Sequence, residues 1–349
     1  MVILAPNWLG DAVMALPAIA DVRRGEPDAS IAIAARPSIA PLFALVPEVD
    51  DTIVLGPSTA LGARPSTALG ARPSTRLGAR PSTRLGARPS ALLGAGAFDT
   101  ALLLPNSMHA ALLVSRARIP QRWGYRTQLR GPLLTRAIDP PSGVHQVEYY
   151  LQLAHALGFP HGGIEPRVTV GEAARAGAAA LLQSSGWDGR APLVAIAPGA
   201  AYGGAKRWPP EHFAELTSTL AADGVRTVMI GSAADANTAR DVGRPGLHPL
   251  IDLVGKTDLP TLAGVLACCR TLVTNDSGAM HLAAAVGIPV TAVFGPTRDV
   301  ETRPIGDRHA IITNPVWCRP CMLRECPINH RCMRGVRVGT VLDAARRTL

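Results

Sequence analysis

The chain has 349 residues, 47% of them hydrophobic, which is enough for two domains with sizeable cores and excludes a disordered chain. No apolar run reaches the length of a membrane-spanning helix, and the apolar N-terminus lacks a basic leader and carries Asp11, so a soluble cytoplasmic protein is expected. The net charge of +9 suggests nucleic acid, but six arginines lie between residues 57 and 96; without them the balance is 29 basic against 26 acidic residues, and aromatics are only 4%. No nucleic-acid partner is expected.

In chain order, VILAP reads as a strand and DAVMALPAIADVRRG as a helix. SIAIAAR and DTIVL are strands. Residues 57–96 are five copies of an octapeptide, PSTALGAR to PSALLGAG. Proline at every eighth position interrupts a long helix, and the period is too short for a solenoid. This insert is expected to be a surface loop; the functional alternative is a basic arm on anionic headgroups. FDTALLLP is a strand, SMHAALLVSRA a helix, and VEYYLQLAHALG a helix that closes the first half. The Gly/Pro-rich text near 160–172 reads as a linker. Alternation resumes with PLVAIAPG (strand), PPEHFAELTSTLAADG (helix), RTVMIGS (strand), DLPTLAGVLACC (helix), TLVTND (strand), GAMHLAAAVG (helix) and VTAVFGP (strand). A final helix follows a cysteine-rich tail. Short β-branched strands between helices predict parallel βαβ sheets, that is, an α/β fold of two doubly wound domains, 1–165 and 166–349, facing a cleft. Ligands in such sheets sit beyond the carboxyl ends of the strands.

Three motifs fall at such ends. In APNWLGDAVMALPA, Asp11 opens a helix as an N-cap or faces the cleft as a general base. In APGAAYGGAKRWPP, Gly199, Gly203 and Gly204 precede Lys206, a pattern unlike a Walker motif that still suits an anion. In TNDSGAMH, Asp276 suits sugar hydroxyls, while Ser277 and Gly278 open a helix toward a diphosphate and His281 lies one turn in, as a site residue or a core histidine. No GxGxxG follows the first strand, which disfavours a dinucleotide-dependent dehydrogenase. Cys318, Cys321, Cys326 and Cys332 have spacing that fits structural zinc or a compact turn of free thiols, and Cys268 and Cys269 fit a buried helix.

Read together, NWLGDAVMALPA, LLLPNSMHAALL, RWGYRTQLRGPLLT, VHQVEYYLQLAHALG, PGAAYGGAKRWP, TNDSGAMHLAAAVGIPVTAVFGPT and CRPCMLRECPINHRCM resemble the ADP-heptose:lipopolysaccharide heptosyltransferases, glycosyltransferase family 9. The resemblance spans nearly the whole chain except the repeat. It implies a GT-B architecture of two Rossmann-like domains, acceptor on the first and nucleotide sugar on the second. It implies inverting transfer of heptose from ADP-heptose to the lipid A core, with no required cofactor and no catalytic metal, so it argues against zinc. Asp11 matches the general base. The donor-side candidates are Lys206, Gly199, Tyr202, Ser232, Asp276, Ser277, Gly278 and His281; the acceptor-side candidates are Asn106, Arg122, Arg126 and Arg130. The expected setting is a cytoplasmic monomer, peripheral to the inner face of the inner membrane. Within the enzyme class the alternative is another nucleotide-sugar transferase; outside it, a nucleotide-binding or lipid-surface module without activity.

Overall fold

The computed structural model describes residues 1–56, 89–243 and 250–349. Its contacts divide the chain into two compact units. The first comprises Met1–Asn7, Asp28–Phe43 and Val49–Pro140; the second comprises Trp8–Pro27, Ala44–Glu48 and Pro141–Leu349.

The first unit is built on a six-stranded sheet of β1 (Val2–Leu4), β2 (Ala32–Ala35), β3 (Asp51–Val54), β4 (Thr100–Leu103), β5 (Gln121–Tyr125) and β6 (Arg136–Ile138). The order is β3-β2-β1-β4-β5-β6 and every pair is parallel. Strands β1 and β2, and β4 after Thr100, are apolar because both faces are covered. Val2, Leu4, Leu103 and Val114 share one core with Leu93, which is fully buried. Leu93 belongs to a helix, so the loop expected over 57–96 is corrected in its last copy. PSALLGAG has a second leucine where the other copies have one, and Pro89–Ala95 is helical. The first four copies, and with them the proposed basic arm, lie outside the described residues.

The second unit holds β7 (Leu193–Ala197), β8 (Arg226–Met229), β9 (Leu250–Asp252), β10 (Thr271–Asn275), β11 (Val290–Phe294) and β12 (Ala310–Thr313), in the order β12-β11-β10-β7-β8-β9, again all parallel. The expected pair of doubly wound sheets is therefore present. In each the chain reverses its direction of growth once, between β1 and β4 in the first and between β7 and β10 in the second, and such switch points leave a crevice at the carboxyl edge.

In chain order the helices are α1 (Leu9–Met14), α2 (Leu16–Gly25), α3 (Pro89–Ala95), α4 (Met108–Arg116), α5 (Gln146–Ala156), α6 (Glu172–Ser184), α7 (Pro210–Ala222), α8 (Ala236–Val242), α9 (Leu259–Ala267), α10 (Gly278–Val286), α11 (Asp299–Thr302), α12 (Arg331–Arg334) and α13 (Val338–Arg346). Expected as one helix, 11–25 is two, α1 and α2, broken at Ala15. Pro17 has no N–H to give, and its ring crowds the preceding turn. Buried Asp21 on α2 ties to His155 Nε2 on α5 at 2.9 Å and to Arg24. Local chemistry sets the other ends: Asp258 caps α9 through Thr261 N at 2.9 Å, Pro210 opens α7, and Gly287 closes α10 in the left-handed region, at φ 97°. Among the described residues no helix is long and apolar enough to cross a membrane.

Candidate functional site

All the groups of the candidate site described next belong to the second unit. Strands β7 and β10 flank its switch point, and the loops that follow them carry most of these groups. Asn275 ends β10 with a fully buried side chain. Its Nδ2 donates to Pro198 O at 2.7 Å and its Oδ1 accepts from Trp208 N at 2.9 Å. One amide thus clamps both ends of the loop from Gly199 to Arg207. Trp208, itself fully buried, adds a hydrogen bond from Nε1 to Val336 O at 3.0 Å.

The body of that loop rests on the cysteine-rich segment. Tyr202 OH donates to Met322 O at 2.8 Å, Gly204 N to Glu325 Oε1 at 2.9 Å and Ala205 N to Arg324 O at 2.9 Å. Gly203 has φ 156° and lies so close to Arg324 O that a Cβ would collide with the carbonyl. At the end of the loop Lys206 Nζ meets Asp276 Oδ2 at 2.5 Å and stands 4.8 Å from the centroid of the Tyr202 ring. Both ends of the ion pair are largely buried. Asp276 Oδ2 also accepts from Thr297 Oγ1 at 2.7 Å, from the loop after β11. An ammonium carries three donors, so two remain for a ligand while the carboxylate and the ring hold the first.

Asp11 lies in the first turn of α1. Its carboxyl is raised to about 6, chiefly by burial; the Lys206 ammonium opposes the shift and the Asp276 carboxylate adds to it. Tyr150 of α5 is buried, its hydroxyl held well above the usual phenol range by burial and by the Asp11 charge. The contact that brings Asp11 here is glycine on glycine. A Cβ on Gly10 would come within 2.9 Å of His281 Cδ2, and one on Gly278 within 2.9 Å of Leu9 Cβ, so α1 and α10 pack almost backbone to backbone.

Ser277 precedes α10 in extended conformation and makes no side-chain cap; its hydroxyl pairs instead with Thr274 Oγ1 at 3.1 Å. The start of α10 therefore offers main-chain N–H groups and a positive dipole end. His281 is buried and burial lowers its pKa to about 4, so its imidazole is neutral at physiological pH and serves as a packing surface for α1. Ser232 donates from both N and Oγ to Asp235 Oδ2, at 2.9 and 2.7 Å, and Gly199 abuts the same carboxylate.

The structure thus brings Asp11, Lys206, Tyr202, Asp276 and His281 into one neighbourhood. The sequence reading did not assign as site residues those that brace them, Asn275, Thr297 and Glu325, nor Tyr150, which lies near Asp11. Asn275 is the one with a local signal, since an amide ending a fully buried strand needs partners.

The four acceptor-side candidates lie in the first unit and differ from one another. Arg130 is fully buried; it donates from Nε to Tyr125 O at 2.9 Å and from Nη1 to Pro105 O. Arg122 donates to Leu133 O at 2.7 Å and to Ile119 O at 2.7 Å. These two guanidiniums hold the main chain of their own unit. Arg126 is exposed and stands 3.6 Å from Asp139, and Asn106 O accepts from Thr127 Oγ1 at 2.9 Å beside the first switch point.

All six cysteines are free thiols. The Cys332 thiol is buried and pushed up by burial and by the nearby Cys318, Cys321 and Cys326. Among the described residues no group of three or more His, Cys, Asp or Glu side chains is set to hold a metal ion. Cys269 is buried in its own core and Cys268 half-buried.

The family model of glycosyltransferase family 9 (heptosyltransferase) matches residues 89–331. The lipopolysaccharide heptosyltransferase 2 of Salmonella typhimurium is 30% identical over 329 residues, 89% of this chain and 87% of its own length. The solved structure of E. coli ADP-heptose lps heptosyltransferase II superposes with a TM-score of 0.78 at 26% identity, covering 99% of this chain and 97% of that one. A glycosyl transferase family 9 structure from Veillonella parvula shares the fold, with a TM-score of 0.80 at 20% identity, covering 99% of this chain and 96% of that one.

Proposed function

Because the chain belongs to glycosyltransferase family 9, the heptosyltransferases, we propose that it moves L-glycero-D-manno-heptose from ADP-heptose onto the heptosyl-Kdo2-lipid A inner core, as a heptosyltransferase of the second type with GT-B architecture. The observation that carries this reading is a carboxyl poised at about 6 beside a buried Lys–Asp pair, at the switch point of a parallel sheet.

Asp11 is the general base. Its carboxylate takes the proton of the acceptor hydroxyl as that oxygen attacks the anomeric carbon. The bond from that carbon to the ADP oxygen breaks on the opposite face, so configuration inverts. Negative charge then collects on the diphosphate. Lys206, the Gly199–Gly204 loop and the N–H groups of Ser277 and Gly278 at the start of α10 receive it, and because their positions are fixed in advance, little reorganisation is needed. Asp276 has two uses: it holds Lys206 in place and keeps its other oxygen for sugar hydroxyls. Tyr202 stacks on the ammonium, Ser232 offers its remaining lone pairs, and His281 forms a neutral floor.

Acceptor binding is assigned to residues 1–165, with Asn106 and Arg126 as contacts, and donor binding to 166–349. The protein acts as a cytoplasmic monomer, peripheral to the inner face of the inner membrane, and catalysis requires no metal. The test is ADP release from ADP-heptose with heptosyl-Kdo2-lipid A under chelation. Acceptor-dependent release is expected. Tight ADP binding without release would mean another sugar or acceptor, and absence of ADP binding would overturn the donor site.

A further inference from the structure

The cysteine-rich segment has an unusual surface. Trp317 is 83% exposed, Ile328 56%, Met322 45% and Leu323 44%, all within twelve residues. Large apolar side chains of this kind, close together and in water, mark interaction surfaces. Their exposure follows from how the segment folds. Cys318, Cys321 and Cys326 gather toward buried Cys332, beside Met333, while Trp317, Met322, Leu323 and Ile328 stay exposed. The charge is one-sided: residues 314–337 hold five arginines and one acid. Arg331, Arg334 and Arg337 are exposed, and none of the three makes an ion pair among the described residues.

We propose that segment 314–337 is the face by which the protein docks on an anionic phospholipid bilayer. An indole ring suits the headgroup boundary, short aliphatic chains reach below it, and arginines answer the negative surface potential. A protein partner would more often bury such anchors in a preformed groove, whereas these stand exposed on a basic segment. The same segment supports the donor loop through Met322 O, Arg324 O and the Glu325 carboxylate, so docking here holds the sugar donor next to the surface that carries a lipid-linked acceptor. This inference rests on the proposed membrane setting and names the surface responsible.

The experiment is co-sedimentation of the full chain with vesicles of phosphatidylcholine, with and without about 30% phosphatidylglycerol. Two variants are compared: Trp317→Ser with Leu323→Ser and Ile328→Ser, and Arg331→Gln with Arg334→Gln. ADP binding serves as the folding control. The wild type is expected to sediment with the anionic vesicles. The arginine variant should lose about fivefold in partitioning per charge removed, and the serine variant at least as much in total. If the serine variant loses ADP binding, the arginine variant decides alone. A wild type that ignores both vesicles overturns this proposal and the membrane setting together. Variants that sediment like wild type, while deletion of residues 57–88 abolishes sedimentation, overturn this proposal and leave that setting standing. Substitutions that only dissolve a dimer on a sizing column show a self-association face instead and likewise overturn it.

Discussion

Two groups of charged residues stand out in the sequence and behave differently in the fold. The first unit carries Arg122, Arg126 and Arg130 within nine residues; the second brings Lys206, Asp276 and Asp11 together from three distant segments. In the first cluster the charged heads of Arg122 and Arg130 end on carbonyls of their own unit, and they stiffen loops. In the second, the ammonium ends on a carboxylate and an aromatic face, with donors left over, and a third group is kept near neutral pH. Charge that satisfies the main chain is structural, and charge held ready by other side chains is available for chemistry.

The largest effect should follow from Asp11→Asn. It keeps the shape and removes the proposed base, so transfer should fall by about 10²–10⁴-fold while ADP affinity holds. Turnover that survives would move the base elsewhere, with Asp276 the first to examine. With Asp11 as the proposed base, the wild type's kcat/KM should also fall tenfold per unit below about pH 6, since only an ionised carboxylate accepts a proton. A flat profile down to pH 5 would break the assignment. Lys206→Ala should cost about 10²–10³-fold, because the diphosphate loses its fixed cation. Its signature is weaker ADP binding, which Asp11→Asn does not share.

The contrast with the first cluster sharpens on stability. Arg130→Ala should destabilise by about 3 kcal/mol, since it orphans the carbonyls of Tyr125 and Pro105. Arg126→Ala, at an exposed loose pair, should stay within about 0.5 kcal/mol. Equal losses in the two would erase the distinction. Asp11 works in the opposite direction. The folded chain holds its proton more tightly than the unfolded one, so the stability that proton gives is full below about pH 3.8 and lost as pH rises through about 6. Above that, the buried charge costs up to about 3 kcal/mol. Asp11→Asn should therefore raise the Tm at pH 8 while it lowers turnover.

The sheets were legible because their strands are short, β-branched and regularly spaced between amphipathic helices. What stayed hidden depended on partners far away in sequence. β5 and β6, with Gln121, Arg122 and Arg136 among their few residues, look like loop text; among the described residues β6 pairs only with β5, a polar edge that periodicity does not reveal. The break at Ala15 was readable from Pro17 and was outweighed by the apolar run around it. At the site, residue types named Asp11, Lys206 and Asp276. Their neighbourhood required α1 to reach α10 through Gly10 and Gly278, which nothing in either motif announces.

The finest test of the second cluster is Thr297→Val. The hydroxyl of Thr297 donates to Asp276 Oδ2, the oxygen that also meets Lys206. Valine keeps the β-branched volume and removes only the donor. If Asp276 is there to hold the lysine, its carboxylate loses one of two anchors on that oxygen and the ammonium gains freedom. Stability should drop by about 1 kcal/mol, the usual net worth of such a hydrogen bond. ADP affinity should weaken a few-fold, and in Lys206→Ala the same substitution should leave it unchanged, because the path from Thr297 to the diphosphate runs through that ammonium. Additive losses in the double variant would mean that Thr297 acts on the site by another route, and that Asp276 meets the donor directly instead of serving as the brace for Lys206.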